Sequence, residues 1–287
     1  VERPPINPYL ILLVSIIAVS TASILIRLST APPMVIAAYR LLFATLMLTP
    51  LYIAGGGYRR LSSLGVRGLL TLIAVGLILA LHFASWITSL SYTTVASSVI
   101  FVHVDPIFVA LLSRLLLGER LTAGRLLGVM TATLGAITIG LGDLRLGNLY
   151  GDLLSLLGAL TLALYLIAGR SLRRRLSLVE YVTPLYATSA LILLLGCLIS
   201  GVSLHPYPPK EYLLFLSIAL IPMILGHTLF NWALRYIEAP VVSVSLLGEP
   251  IGASLLALFI LCETPPITTV MGGALTLLGI YITASKQ

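Results

Sequence analysis

The chain has 287 residues, of which 59% are hydrophobic and only 9% charged. A soluble domain carries about 25% charged residues, so there is too little polar surface here to cover one, and an integral membrane protein is the class that fits. The net charge of +7 is therefore read by its location along the chain, as a topology signal, and does not point to nucleic acid.

A helix crosses a bilayer with about 20 apolar residues, and ten such runs are predicted. In the first half they cover 9–27, 33–54, 68–90, 93–116 and 122–142. In the second they cover 150–169, 178–201, 212–235, 240–261 and 266–284. The first run follows Glu2 and Arg3. It is too long for the apolar core of a signal peptide, so it is expected to stay as a span. Short connections carry the breakers Pro32-Pro33, Gly55-Gly56-Gly57, Gly118, Gly142, Pro206 to Pro209, Pro240 and Pro265-Pro266. Barrel strands would be about half as long and would alternate. The longest polar connection, Ser203 to Glu211, leaves no room for a sensor or kinase domain.

The chain repeats itself. A shift of 144 positions lays Tyr92 to Gly135 on Tyr236 to Gly279 without a gap. Tyr92 falls on Tyr236, Asp105-Pro106-Ile107 on Glu249-Pro250-Ile251, Glu119 on Glu263, Gly128 on Gly272, and Leu134-Gly135 on Leu278-Gly279. Apolar sequences match by chance at Leu and Ile, so the rarer residues carry the weight, and the period of half the chain means two copies of one unit. Each half, 9–142 and 150–284, holds five runs. An odd number forces the second unit to enter from the opposite face. The expected fold is an all-α membrane protein of ten helices in two inverted five-helix repeats, an arrangement associated with carriers.

With the N-terminus inside, the inner segments hold Arg3, Arg59, Arg60, Arg67, Arg114, Arg120, Arg125, the cluster Arg170 to Arg175, Arg235 and Lys286. The outer ones hold only Arg27, Arg145 and Lys210. This positive-inside bias puts both termini in the cytoplasm of a multi-pass cell-membrane protein. The Arg170 to Arg175 cluster is read as a topology anchor facing anionic headgroups.

The run Pro33-Met34 to Arg40, Asp105-Pro106 with Leu117-Gly118-Glu119-Arg120-Leu121-Thr122, and Glu249-Pro250 with Leu261-Cys262-Glu263-Thr264 together resemble the drug/metabolite transporter superfamily, EamA branch, with two EamA repeats. The resemblance spans residues 9 to 284. It implies ten helices with cytoplasmic termini, a central cavity lined by helices 1, 3, 4, 6, 8 and 9, and export of small metabolites. Two departures stand out. Cys262 and Pro265 replace the Gly and Leu usual around the second Glu, and Pro184 stands at the offset from Arg40.

Asp105 and Glu249 fall near the middles of runs four and nine. A carboxylate at that depth costs a few kcal/mol or more, so both are read as lining a pathway for substrate cation or proton, each beside a kinking proline, Pro106 or Pro250. His82 with Trp86, and His227 with Asn231, share faces at i, i+4 and are the other pathway candidates; a histidine there would suit proton coupling. His103, two residues from Asp105, is expected to point away from it. Arg40 cannot discharge and is expected in a structural pair or at a helix end. Glu119 and Glu263 are read as caps for the helices that follow them. Trp86 is the best aromatic candidate for the cavity, whereas Tyr92 and Tyr236 suit an interfacial belt; Tyr165 and Trp232 also fall on candidate cavity helices. Gly135, Gly140, Gly272, Gly273 and Gly279 permit close helix approach, within the chain or in a homodimer.

Cys197 and Cys262 read as packing residues, and with no CxxC or clustered His/Cys motif, neither metal nor cofactor is expected. There is no GxxxxGK[ST] loop for direct ATP drive. The expected function is a secondary transporter, an exporter of small metabolites such as amino acids or drug-like compounds, and not an enzyme. Three rivals remain. A sugar-phosphate or nucleotide-sugar exchanger would want several cations in the cavity. An intramembrane enzyme would need Asp105 and Glu249 to share a proton. The last is a channel or structural protein.

Overall fold

The computed structural model describes residues 4–93, 98, 101–119, 122–141, 149–261 and 267–285, and every element it describes is helical. Caps and prolines set the starts. Asn7 accepts the Tyr9 amide at 3.0 Å, and Pro8 opens α1 (Pro8–Ser20), where its missing N–H would be unpaired anyway. After Thr21 the span continues as α2 (Ala22–Arg27). α3 (Pro33–Ala54) again begins on proline. α4 (Gly57–Ser63) is a short bridge to α5 (Gly65–Ser89).

The next expected run, 93–116, falls partly outside the described residues. Its second part is α6 (Asp105–Leu112), which widens into a π-helical turn, Ser113–Leu117, and stops at Gly118 with φ +67°. α7 (Ala123–Leu141) and α8 (Leu149–Leu172) follow. Ser177 and Glu180 form a reciprocal capping box at α9 (Leu178–Ile199). α10 (Pro209–Ile218) runs into a π-helical stretch, Ala219–Thr228, and then α11 (Leu229–Ala233). Pro222 lies inside that stretch. It lacks the N–H an α-helix requires, and the wider turns absorb the shift. The last elements are α12 (Ala239–Leu246), α13 (Glu249–Leu261) and α14 (Ile267–Ser285).

Seven described segments are long and apolar enough to cross a membrane: Pro8–Ile26, Pro33–Ala54, Gly65–Ser89, Leu149–Leu172, Leu178–Ile199, Pro209–Ala233 and Ala239–Leu256. Ala123–Thr138 and Val270–Ser285 are apolar but shorter. The outward side chains of these helices are themselves apolar, Leu13, Ile17, Leu77, Leu195 and Phe259 among them. So extensive an apolar exterior needs lipid.

The core sits where α3, α5, α8, α9 and the Pro209–Ala233 segment meet, around Phe83, Tyr165, Tyr181, Tyr186, Phe215 and Phe230. A second contact joins α7 to α14 through glycine. A Cβ on Gly135 would lie 2.4 Å from Thr276 N, and one on Gly279 would lie 2.2 Å from Ala132 N. These two contacts exchange under the 144-residue offset that also separates Thr276 from Ala132. Gly128 against Gly279 O and Gly135 against Gly272 O exchange in the same way. Such reciprocity is the mark of a two-fold contact, here between two stretches of one chain.

Candidate functional site

Both repeated acids stand at helix starts. The chain turns at His103-Val104 and restarts as α6 on Asp105; it turns at Leu247-Gly248 and restarts as α13 on Glu249. The expectation of helices kinked at Pro106 and Pro250 is refined to a two-residue turn just ahead of each acid-proline pair, where Leu247 keeps right-handed φ and ψ and the Ala239–Leu256 segment runs through its turn. Each proline takes the second position of a new helix, where it costs no hydrogen bond. Each acid lies at the positive end of the helix dipole.

The two restarts face one cavity. Asp105, Glu249, His82, Trp86 and His227 line it, together with Arg40 and His103. Val19, Leu162, Phe230 and Leu246 give it apolar walls. Five of the six pathway candidates thus meet in one place. Asn231 does not: it is buried behind the wall, with its amide on the Tyr165 hydroxyl and on His227 O. Tyr165 is buried with it. Trp232 packs on Tyr236 at 4.7 Å, and Tyr92, half exposed, meets Tyr150 edge to face.

Asp105 is 1% exposed, and its Oδ2 accepts from the Ser243 hydroxyl at 2.5 Å. Glu249 is held through its backbone by Ser20, whose hydroxyl donates to Glu249 O at 3.2 Å. Its carboxylate is 3.9 Å from His103 Nε2. His103 therefore belongs to the site through Glu249 of the other copy, a partner that its spacing from Asp105 did not reveal. The hydrogen bond of Asp105 and the close partner of Glu249 lie elsewhere than on each other, which is not the shared-proton arrangement of an aspartic pair.

Arg40 also departs from expectation. It is buried, it lines the cavity, and no carboxylate lies within ion-pair distance among the described residues. Its guanidinium lies 4.4 Å over the Phe83 ring. Nε reaches Met223 Sδ at 3.3 Å, Nη2 reaches Pro222 O at 3.4 Å, and Nη1 has no partner. Trp86 Nε1 and His227 Nδ1 are likewise buried without a partner. His82 Nδ1 lies 2.9 Å from Gly158 O, and its ring is nearly parallel to Trp86 at 6.1 Å.

Away from the cavity, Glu119 has partners on its own helix and on the second copy. It accepts from Ser113 Oγ at 2.7 Å and from Arg170 Nε at 2.9 Å, with Arg174 Nη2 at 3.5 Å. Arg170 also donates to Leu234 O and Arg235 O at 2.9 and 3.2 Å. Arg173 is buried on Asn231 O and Leu176 O. The cluster is therefore divided: Arg170 and Arg173 bind protein, and Arg174 and Arg175 are exposed. Glu263 and Cys262 lie outside the described residues. Among the described residues no group of three His, Cys, Asp or Glu could hold a metal.

Nothing in the sequence marked Ser243 as a partner of Asp105, since 138 residues separate them. Arg40 was visible as a cation within an apolar run, and a signal for its cavity position lay in the lack of a nearby acid.

Comparison with known proteins agrees with this architecture. The EamA-like transporter family profile matches residues 6–141 and 149–285. An uncharacterized transporter of Archaeoglobus fulgidus is 30% identical over 205 residues, 67% of this chain and 68% of that protein. A second from the same organism is 26% identical over 76% of this chain and 75% of its own length. A solved crystal structure superposes with a TM-score of 0.82 over 96% of both chains at 19% identity, a likeness of fold. Two matched copies covering nearly the whole sequence leave one conclusion: this multi-pass membrane protein belongs to the EamA-like transporter family.

Proposed function

We propose that the protein is a secondary transporter that exports small metabolites, amino acids or drug-like compounds, by alternating access. In this reading ten helices form two inverted units that rock around the cavity near the bilayer midplane, with both termini cytoplasmic and protons as the coupling ion. The observation that carries it is the cavity itself: matching acids from the two copies face one shared space from the starts of interrupted helices. Interrupted helices of this kind form carrier sites, and the cavity they face combines apolar walls with a few convergent polar groups, as small-molecule sites do. The reciprocal α7–α14 contact supports the two-fold relation between units. One cavity cation against two carboxylates does not suit a phosphorylated sugar.

The test is counterflow in proteoliposomes at several pH gradients. Saturable exchange of amino acids or cationic drugs, impaired by Glu249→Gln, is the expected result. Wild-type vesicles that exchange no solute, or variants Asp105→Asn and Glu249→Gln with unchanged affinity, rate and pH dependence, would remove the assignment.

A further inference from the structure

We infer that Arg40 is the oxyanion-recognising residue of the cavity, so that the transported solute is a zwitterion, with a carboxylate held by Arg40 and an ammonium held by Glu249. This rests on the transport reading and narrows it, because it accepts apolar amino acids and rejects simple drug-like cations. The guanidinium is fully desolvated, cannot lose its proton, and has a thioether and one long carbonyl contact in place of an acid. A buried cation left in that state is costly, and an acceptor brought by the solute would offset it. Phe83 packs against the guanidinium at 4.4 Å, which leaves its edge for the in-plane, two-pronged contact that a carboxylate makes. Two more buried polar nitrogens in the same wall have no partner, Trp86 Nε1 and His227 Nδ1. A carboxylate offers about four acceptor positions, enough for all of them.

The opposite charge has its own pole. Asp105 is already engaged by Ser243. Glu249, with a side chain 21% exposed and His103 3.9 Å away, is the acid open to an ammonium. Leu162, Phe230 and Leu246 line the same cavity with apolar surface suited to an aliphatic side chain.

Of the two tryptophans in the chain, Trp86 lines the cavity, so Trp232→Phe leaves one fluorescent reporter of occupancy. The full chain in this background, in detergent, is titrated with leucine, with isoamylamine (the same skeleton without the carboxylate) and with 4-methylpentanoate (the same skeleton without the amine). Leucine is expected to change Trp86 emission and to bind at least about tenfold more tightly than the amine, the worth of a hydrogen bond to a charged group. Arg40→Gln should erase that preference and Arg40→Lys should keep part of it. An amine that binds wild type as tightly as leucine overturns the inference, and so does an Arg40→Gln variant that weakens both equally. No binding by leucine, methionine or phenylalanine up to about 10 mM overturns it too. Ethidium counterflow that persists in that last case would spare the transporter reading, whereas the absence of any flux would remove both.

Discussion

The two copies of the repeated unit give their matching acids different neighbours. Ser243 of the second copy donates to Asp105 of the first. Under the 144-residue offset that contact becomes Val99 with Glu249, and valine has no hydroxyl to give. In return, His103 of the first copy stands 3.9 Å from Glu249 of the second, and the offset turns this pair into Leu247 with Asp105. Each acid has thus kept one polar neighbour that the other has lost. Asp105 is fixed by a short bond inside protein, whereas Glu249 faces a group that can itself take a proton. Two equivalent helix starts thus carry one held acid and one available acid.

The largest expected effect tests a contact with no duplicate at all. Arg170 ties Glu119 to the end of α11, while the offset position in the first copy is Ile26. Both side chains of the pair are 11% exposed. Arg170→Met takes from Glu119 its closest cation, leaving Ser113 and the more distant Arg174, and removes two carbonyl contacts; it should cost about 3 kcal/mol of stability, read as a fall in melting temperature in detergent. A variant as stable as wild type would mean that the two copies do not depend on this tie.

Next in size is the difference between the acids. Glu249→Gln should lower counterflow about 10–100-fold, the range for losing a charged hydrogen-bonding group, and flatten its pH dependence. Asp105→Asn keeps an oxygen for Ser243 and should lower counterflow by less than about fivefold. Equal losses would erase the distinction between a held and an available acid.

Much of this was legible in the sequence because rare residues recur in register. Acid-Pro pairs, a Tyr and paired glycines outlast the background of Leu and Ile, and they located the copies and the two acids; the length of the apolar runs gave the helical class, and His82, Trp86 and His227 stood out as polar or aromatic residues within those runs. The remainder depended on where helices stop. Asp-Pro and Glu-Pro fit a kink within a helix as well as the start of a new one, and the partner of His103, Glu249, belongs to the other copy. Glu119 lies 51 residues from Arg170, and Arg40 lies 183 from Met223. Periodicity within one helix carries no information about either pairing.

A smaller effect probes the region where the copies still agree. An added methyl at Gly135 or Gly279 meets backbone at 2.4 or 2.2 Å, so α7 and α14 must separate. Gly135→Ala and Gly279→Ala should each cost about 1–3 kcal/mol and by similar amounts, since their contacts are equivalent. Gly273→Ala is the control: its added carbon would lie 3.7 Å from Ile251, and its melting temperature should not move. Unequal losses at positions 135 and 279 would show that the reciprocity is not energetic.

The smallest effect is the most direct test of why the acids differ. Ser243 is fully buried, and Ser243→Ala removes one hydrogen bond and leaves no large void, a loss of about 1 kcal/mol in stability. Its value lies in a double-mutant cycle. If the hydroxyl is what keeps Asp105 out of the transport step, Asp105→Asn in the Ser243→Ala background should reduce counterflow by more than it does in wild type, approaching the loss seen for Glu249→Gln. The same Ser243→Ala change combined with Glu249→Gln should show no such coupling, because Ser243 touches only the first acid. Additive losses in both cycles would mean that position in the cavity, and not the serine, sets the two acids apart.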